Sequence, residues 1–415
     1  MHSISSFYIF THSSMTSTPI QTDINTSSID FQDTSVAFAY KTDKELKKTE
    51  WLFSMMQNPG IVKFGNTLAI KAIEWNLPFA QSVIKSTIFK QFCGGTTLLE
   101  TSKALKALSD KNVQTVLDYG VEAKDSEEDF NRCMVENMRA IDFAGQIGNV
   151  PFVVVKITGL LPFRLLEKIQ TNAPLTNDEN ATYFNGSKRI DAICNHAREK
   201  KIKILIDAEE SWIQDSIDRI ANMMMARYNK DSAVVYNTFQ FYRHDRLDFL
   251  KKSFEAATEK NYFLGAKLVR GAYMEKERTR AEKMNYKTPI NPDKIATDSL
   301  FNDALLFCVS NYERIACMNA THNLQSTRLL VDVIEEMKIP KDHPHFYFCQ
   351  LYGMSDNLTF NLAKDGYNVA KYVVYGSVHD VVPYLMRRAQ ENTSVTGDAG
   401  RELTLVRKEL NRRKI

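Results

Sequence analysis

At 415 residues the chain is long enough for one large barrel or for two average domains, and 44% hydrophobic with 25% charged residues is a globular balance that excludes a disordered or collagen-like chain. The formal charge of +3, from 53 basic and 50 acidic residues, creates no global field that would call for nucleic acid as a partner. No apolar run approaches the roughly 18 to 20 residues of a membrane span; residues 150–155 are the most apolar stretch.

Residues 1–40 are rich in Ser and Thr and hold neither Lys nor Arg, so they lack the basic start of a signal peptide and the arginines of a mitochondrial transit peptide. Residues 1–34 are expected to form a disordered tail, with Met15 as an alternative start. A helical arm is expected over 35–105. In it Thr42-Asp43-Lys44-Glu45 has capping-box spacing ahead of Leu46, Leu52, Phe53 and Met56. Gly60 is expected to end that helix, and a further helical pattern runs from Asn66 to Phe92 until Cys93-Gly94-Gly95 breaks it. The six cysteines form no CxxC pair and sit among apolar neighbours, as reduced core thiols do in a reducing compartment.

From Val113 onward, short runs rich in Val, Ile and Tyr alternate with longer amphipathic stretches, the signature of βα units and a parallel sheet. Eight such runs are predicted, over 115–118, 152–156, 202–207, 234–237, 266–270, 316–319, 346–349 and 369–374. The fold class is therefore α/β, a (β/α)8 barrel over 106–395, followed by a basic helix or tail over 396–415. Several runs end in a polar residue: Asp118, Lys156, Asp207, Arg270 and, just beyond its strand, His322. A barrel puts such residues on the rim where its active site is built.

GxGxxG, P-loop and HExxH motifs are absent, and His343 and His345 flank a proline in a loop that is expected to be solvated, so no metal site is assigned. Lys267-Leu268-Val269-Arg270-Gly271-Ala272-Tyr273 puts two cations three residues apart at a strand end, on opposite sides unless the strand twists. Gly271 lets the backbone approach a flat ligand closely. Tyr384-Leu385-Met386-Arg387-Arg388-Ala389-Gln390-Glu391-Asn392 reads as a helix after Pro383, whose paired guanidiniums suit a small carboxylate.

These two segments resemble the hallmark motifs of the proline dehydrogenase family. Leu117-Asp118-Tyr119 with Glu122, Val155-Lys156-Ile157-Thr158, Ile206-Asp207-Ala208-Glu209, Thr238-Phe239-Gln240-Phe241-Tyr242, Ala320-Thr321-His322-Asn323, Gln350-Leu351-Tyr352-Gly353-Met354 and Lys371-Tyr372 follow the family in order. The resemblance, over about Cys93 to Asn392, implies a distorted barrel that binds FAD at the strand ends, with the last helix across the mouth. It implies oxidation of L-proline to Δ1-pyrroline-5-carboxylate by hydride transfer to FAD, the first step of proline catabolism to glutamate. Lys156, Asp207, Arg387 and Arg388 are the catalytic set it implies, with Lys156 and the two arginines clamping the carboxylate. Leu268, Ala272, Tyr273, Leu351, Tyr372 and Tyr384 would line the substrate pocket, Tyr372 leaving no room for a 4-hydroxyl. Glu122 would pair with Arg387 as a gate. Gln240, Lys267, Val269, Arg270, Gly271, Thr321, His322, Asn323 and Glu391 would contact FAD.

The resemblance further implies a membrane quinone as electron acceptor and a separate pyrroline-5-carboxylate dehydrogenase, since no aldehyde dehydrogenase module follows Asn392. The expected location is cytoplasmic, with peripheral contact at the inner membrane through the basic segment after Gly400. A different enzyme class is compatible with the same strand-end cations: a Schiff-base aldolase using Lys156 or Lys267. A third reading is a non-catalytic barrel that binds a ligand.

Overall fold

The computed structural model describes residues 29–58, 60, 62, 63, 65, 82, 84–393 and 398–415, except for the side chains of 390–393, 398 and 399. Among them, nine strands form one parallel sheet: β1 (Cys93–Gly95), β2 (Gln114–Tyr119), β3 (Phe152–Val155), β4 (Lys203–Ile206), β5 (Val235–Gln240), β6 (Leu264–Val269), β7 (Ile315–Ala320), β8 (Phe346–Leu351) and β9 (Val369–Tyr375). From β2 onward each strand pairs with the next, and β9 returns to β2 from Gln114 opposite Ala370 to Tyr119 opposite Tyr375. The eight predicted runs fall on β2 to β9, which close into a (β/α)8 barrel with helices around it.

Side chains alternate across the barrel wall because the strand period is two. Val116, Phe152, Val154, Leu205, Tyr236, Met318, Tyr347, Cys349, Ala370 and Val374 fill the bore. Their neighbours Leu117, Val153, Ile204, Val235, Leu264, Phe346 and Val373 face outward into the layer shared with the helices. Both faces are thus apolar, which is why these strands read as continuous Val/Ile runs. All six cysteines are buried and free.

Strand β1 was not expected. Cys93-Gly94-Gly95 reads as a breaker, yet it pairs with Val374 and Tyr375 at the end of β9. The glycines make this approach feasible: a β-carbon would come within 2.5 Å of Val373 Cγ1 at Gly94 and 2.6 Å of Glu100 Cβ at Gly95. The capping box stands as read, with Thr42 Oγ1 accepting from Glu45 N at 3.3 Å and Glu45 Oε2 accepting from Thr42 N at 3.0 Å. That helix, Asp43–Met56, stops before Gly60. Of the helix expected from Asn66 to Phe92, residues 66–81 and 83 lie outside the described residues, as do 1–28 of the expected tail.

Residues 29–34 depart from the tail expectation. Phe31 is fully buried in the helix-facing core, and its carbonyl accepts from Asn357 Nδ2 at 3.1 Å. The C-terminal segment is a helix, Asp398–Arg413, that buries Leu405, Val406 and Leu410 against Ala37, Phe38 and Leu46. Its basic residues are used internally: Arg407 pairs with Glu50 at 2.9 Å, Arg413 with Asp43 at 2.9 Å and Arg412 with Glu409 at 2.8 Å. His343 and His345 are only partly solvated. They are half-buried in an aromatic group with Tyr312, Phe346 and Phe263, and His345 Nδ1 lies 2.7 Å from the Tyr312 carbonyl.

The helix Val378–Thr393 lies over the C-terminal mouth of the barrel, its Val381, Tyr384, Leu385 and Ala389 joining the cluster that fills the bore. It begins before Pro383, with Ser377 Oγ accepting from Asp380 N at 3.2 Å. The proline forgoes only the bond that position 383 would give to the His379 carbonyl. Among the described residues, no helix is long and apolar enough to cross a membrane.

Candidate active site

Inward parity brings Asp118 (β2), Lys156 (directly after β3), Asp207 (directly after β4), Lys267 (β6) and Tyr372 (β9) into one layer near the top of the bore. Lys156 Nζ donates to Asp118 Oδ1 at 2.5 Å, and Lys267 Nζ donates to Asp207 Oδ1 at 2.6 Å. The Tyr372 hydroxyl donates to Asp207 Oδ2 at 2.8 Å, and its ring lies 4.9 Å from Lys267 Nζ. Two acids and two bases offset one another here, the condition under which charge can be buried. Burial opposes the charge on Asp207, but Lys267 and Lys156 outweigh it and hold the carboxyl below its usual range. Burial also opposes protonation of Lys156, but Asp118, Asp207 and Glu122 overcome it and raise the pKa. Lys156 therefore stays an ammonium at neutral pH, whereas a Schiff-base nucleophile has to be a neutral amine.

The roof helix adds the arginines. Arg387 presents its fork to Glu122, Nη1 to Oε1 at 2.8 Å and Nη2 to Oε2 at 3.3 Å, and lies 5.6 Å from the Tyr273 ring. Burial works against an ionised Glu122, yet Arg387 first and Lys156 next keep its pKa low. Arg387 thus grips the Glu122 carboxylate directly, and the Lys156 charge, itself bonded to Asp118, acts on it from a distance. Arg388, about 100° further round the helix, is buried and lies 5.4 Å from the Tyr384 ring. Lys124 reaches Asp380 at 3.3 Å, so two ion pairs join the loop after β2 to the roof.

Leu351 ends β8 on the inward face, and Ala272 and Tyr273 follow β6 on the rim. Leu268 is not brought to the mouth: between the inward Lys267 and Val269 it faces outward and is buried in the helix-facing core.

Lys267 and Arg270 do lie on opposite sides, as the strand period requires. Arg270 reaches over the rim, donating to Asp298 Oδ1 at 2.7 Å, Thr321 Oγ1 at 2.6 Å and Ser326 Oγ at 3.0 Å, and stacks 4.4 Å from the Phe301 ring. Asn323 caps the helix Leu324–Glu336, its Oδ1 accepting from Ser326 N at 2.9 Å. His322 Nδ1 lies 2.9 Å from Ser355 Oγ. Burial, then Arg401, Lys371, Arg388 and Arg270, push the His322 pKa well below its ordinary value. This lip carries the Arg270 guanidinium and ends on a helix N-terminus, which suits a diphosphate. Gln240, inward at the end of β5, donates to the Glu209 carbonyl at 2.7 Å. Gly271 has φ +135°, and a β-carbon there would lie 2.5 Å from the Tyr242 ring. The Glu391 side chain lies outside the described residues.

Asp118, read in the sequence as a polar strand end, is the partner of Lys156. Sequence reasoning left out the partners of Arg270. Asp298 and Ser326 sit in helices with nothing local to mark them, and only the folded chain brings them to Arg270.

The sequence profile of the proline dehydrogenase family matches residues 101–401. The chain is 33% identical to "Proline dehydrogenase 1, mitochondrial" of Dictyostelium discoideum over 80% of this chain and 65% of that protein. It is 29% identical to the hydroxyproline dehydrogenase of Xenopus laevis over 93% of this chain and 90% of that one. Among solved structures, proline utilization A from Bdellovibrio bacteriovorus inactivated by N-propargylglycine shares the fold with a TM-score of 0.73 at 18% identity, covering 88% of this chain but 42% of that one. The chain thus spans less than two thirds of the first relative and less than half of the structural neighbour.

Proposed function

From the premise that the chain belongs to the proline dehydrogenase family, we propose that it oxidises L-proline to Δ1-pyrroline-5-carboxylate, with FAD bound at the barrel mouth. The observation that carries this reading is the Arg387 fork on a carboxylate, Glu122, beneath a roof helix that also buries Arg388 and above the Lys156 ammonium at the top of the bore. A site built this way suits a small carboxylate taken from water. Bound FAD would supply the hydride acceptor.

The chain's own part is orientation. Arg388 and Lys156, with Arg387, would anchor the substrate carboxylate. Tyr273, Tyr384, Leu351 and Ala272 would pack against the ring, and Asp207 would keep Tyr372 and Lys267 in place through its two oxygens. The Glu122–Arg387 pair would close the site and exclude water. Lys267, Val269, Gln240 and Gly271 would meet the flavin ring, and Arg270, Thr321 and His322 the diphosphate and adenosine side. Asn323 would act chiefly through its helix cap. Electrons would pass to a membrane quinone, and a separate pyrroline-5-carboxylate dehydrogenase would take the product. The C-terminal helix gives little support to membrane contact, because its arginines are paired within the protein.

A second substrate, 4-hydroxyproline, is favoured by the extent of the match to the Xenopus relative. The Tyr372 ring, pinned by its hydroxyl to Asp207, favours proline by filling the space beside the ring. Purified protein should be yellow and turn over L-proline with an artificial acceptor, with kcat/KM for 4-hydroxyproline at least about tenfold lower. A colourless protein, or equal efficiency on both, would contradict the respective parts of this reading.

A further inference from the structure

Directly after Lys156 the chain makes a single turn, Ile157–Gly159, whose Thr158 is fully buried and tied to two loops. Its hydroxyl donates to Glu209 Oε2 at 2.5 Å and its N–H to Glu209 Oε1 at 3.1 Å. On its other side Thr158 Oγ1 accepts the Ala123 N–H at 3.2 Å, and its carbonyl accepts the Lys124 N–H at 3.0 Å. Ala123 has φ +54°, a left-handed conformation unfavourable for a residue with a β-carbon, so this loop depends on outside bonds for its shape. The residue before it is Glu122.

Glu209 is itself fixed from behind. Its N–H donates to Gln214 Oε1 at 2.8 Å, and its carbonyl accepts from Gln240 Nε2 at 2.7 Å. Gln214 Nε2 donates to Asp218 Oδ1 at 3.0 Å, and Asp218 is held by Asn237 at 2.8 Å and Arg246 at 2.7 Å. A bonded path therefore runs from the buried core, through Glu209 and Thr158, to the loop whose tip meets Arg387.

We propose that Glu209 is a positioning residue for substrate capture: through Thr158 it sets the loop after β2, and with it the Glu122 carboxylate that Arg387 grips across the mouth. The inference rests on the proposed oxidation of proline. Such a residue need not be charged. Burial raises the Glu209 pKa to about 8 despite the bond from Thr158, with Glu122 and Glu210 adding to the rise, so the neutral acid prevails at pH 7. Glutamine matches that form in shape and charge, and alanine does not.

The test compares Glu209→Ala, Glu209→Gln, Thr158→Val and the double variant with the wild-type full chain. Flavin content, kcat, KM for L-proline and the Kd of the ring-oxygen analogue of proline, which cannot become an imine, are measured. Glu209→Ala and Thr158→Val should each raise KM and Kd about tenfold with kcat within about threefold, and the double variant should be no worse than the worse single one. Glu209→Gln should stay within about threefold of wild type, and flavin content should be unchanged throughout. Unchanged KM and Kd in Glu209→Ala, additive effects in the double variant, or a Glu209→Gln protein as impaired as Glu209→Ala would each overturn the proposal. If Glu209→Ala does not accumulate as folded protein, Thr158→Val decides the matter alone. A wild-type protein whose flavin L-proline does not reduce would sink the functional reading itself, a result separate from any variant.

Discussion

At the scale of single residues, the site depends on which charges are paired with what. Arg388 is buried beside Tyr384, and a charge-assisted hydrogen bond to a substrate carboxylate is worth about 1.5 to 3 kcal/mol. Arg388→Met should therefore lower kcat/KM for L-proline roughly ten- to a hundredfold with flavin content retained; steady-state assays beside a flavin absorbance scan check this. Lys203, on the inward face at the opposite end of the bore, shows what an unused cation costs. It lies 4.8 Å from the Tyr347 ring and 5.1 Å from the Phe152 ring, and burial lowers its pKa to about 8. Its folded pKa lies below the unfolded value of 10.5, so the unfolded chain binds more protons between pH 8 and 10.5 and stability rises with pH across that window. Lys203→Met should stabilise the protein by about 1 to 3 kcal/mol at pH 7, after allowance for the lost ring contacts. The gain should fade as the pH climbs from 8 toward 10.5; denaturant melts at pH 7 and 9.5 measure it. Asp118, Lys156, Asp207 and Arg270 were legible in the sequence because a barrel makes a polar strand end conspicuous, and Arg387 and Arg388 because two adjacent guanidiniums stand on one helix. Leu268 was misplaced because the motif named it as a neighbour of Lys267, while the strand period turns it outward.

At the scale of elements, the roof helix is attached to the loop after β2 by Glu122–Arg387 and Lys124–Asp380. Neither pair is far from solvent, so each contributes modestly to stability, and their effect belongs to the closed state of the site. Glu122→Gln should raise KM for L-proline about three- to tenfold and leave flavin content unchanged; an unaltered KM would argue against a gate. The attachment of the helix Lys90–Phe92 to the loop after β8 is glycine-dependent. Gly353 has φ +78°, a β-carbon there would lie 2.0 Å from the Gln91 carbonyl, and its own carbonyl accepts from Gln91 Nε2 at 2.7 Å. Gly353→Ala should cost roughly 2 kcal/mol or more through strain and overlap, visible as a lower Tm. The eight barrel strands could be read because both faces of each are apolar. Strand β1 could not, since its Gly-Gly pair mimics a break and its partner on β9 lies far along the chain. Pro383 likewise suggested a late helix start that a single missing bond did not enforce.

At the scale of the whole molecule, the barrel divides into an apolar bore and a charged mouth, and the segments around Phe31 and around Val406 pack on the outside. The buried bond from Asn357 to the Phe31 carbonyl, and the packing of Leu405, Val406 and Leu410 on Phe38 and Leu46, join residues at opposite ends of the sequence. Composition alone pointed to a tail at one end and a basic segment at the other, because neither contact has a local signature. What unites the scales is a mouth in which Arg387 and Arg388 of the roof helix stand over the paired charges at the top of the bore, beside the rim that holds Arg270. Anaerobic titration of the purified protein with L-proline, followed in the visible flavin bands, tests this most directly. Stoichiometric, saturable loss of flavin absorbance is expected in the wild type, shifted to higher proline in Arg388→Met. A flavin that remains oxidised at saturating L-proline, or a protein that carries none, would contradict it.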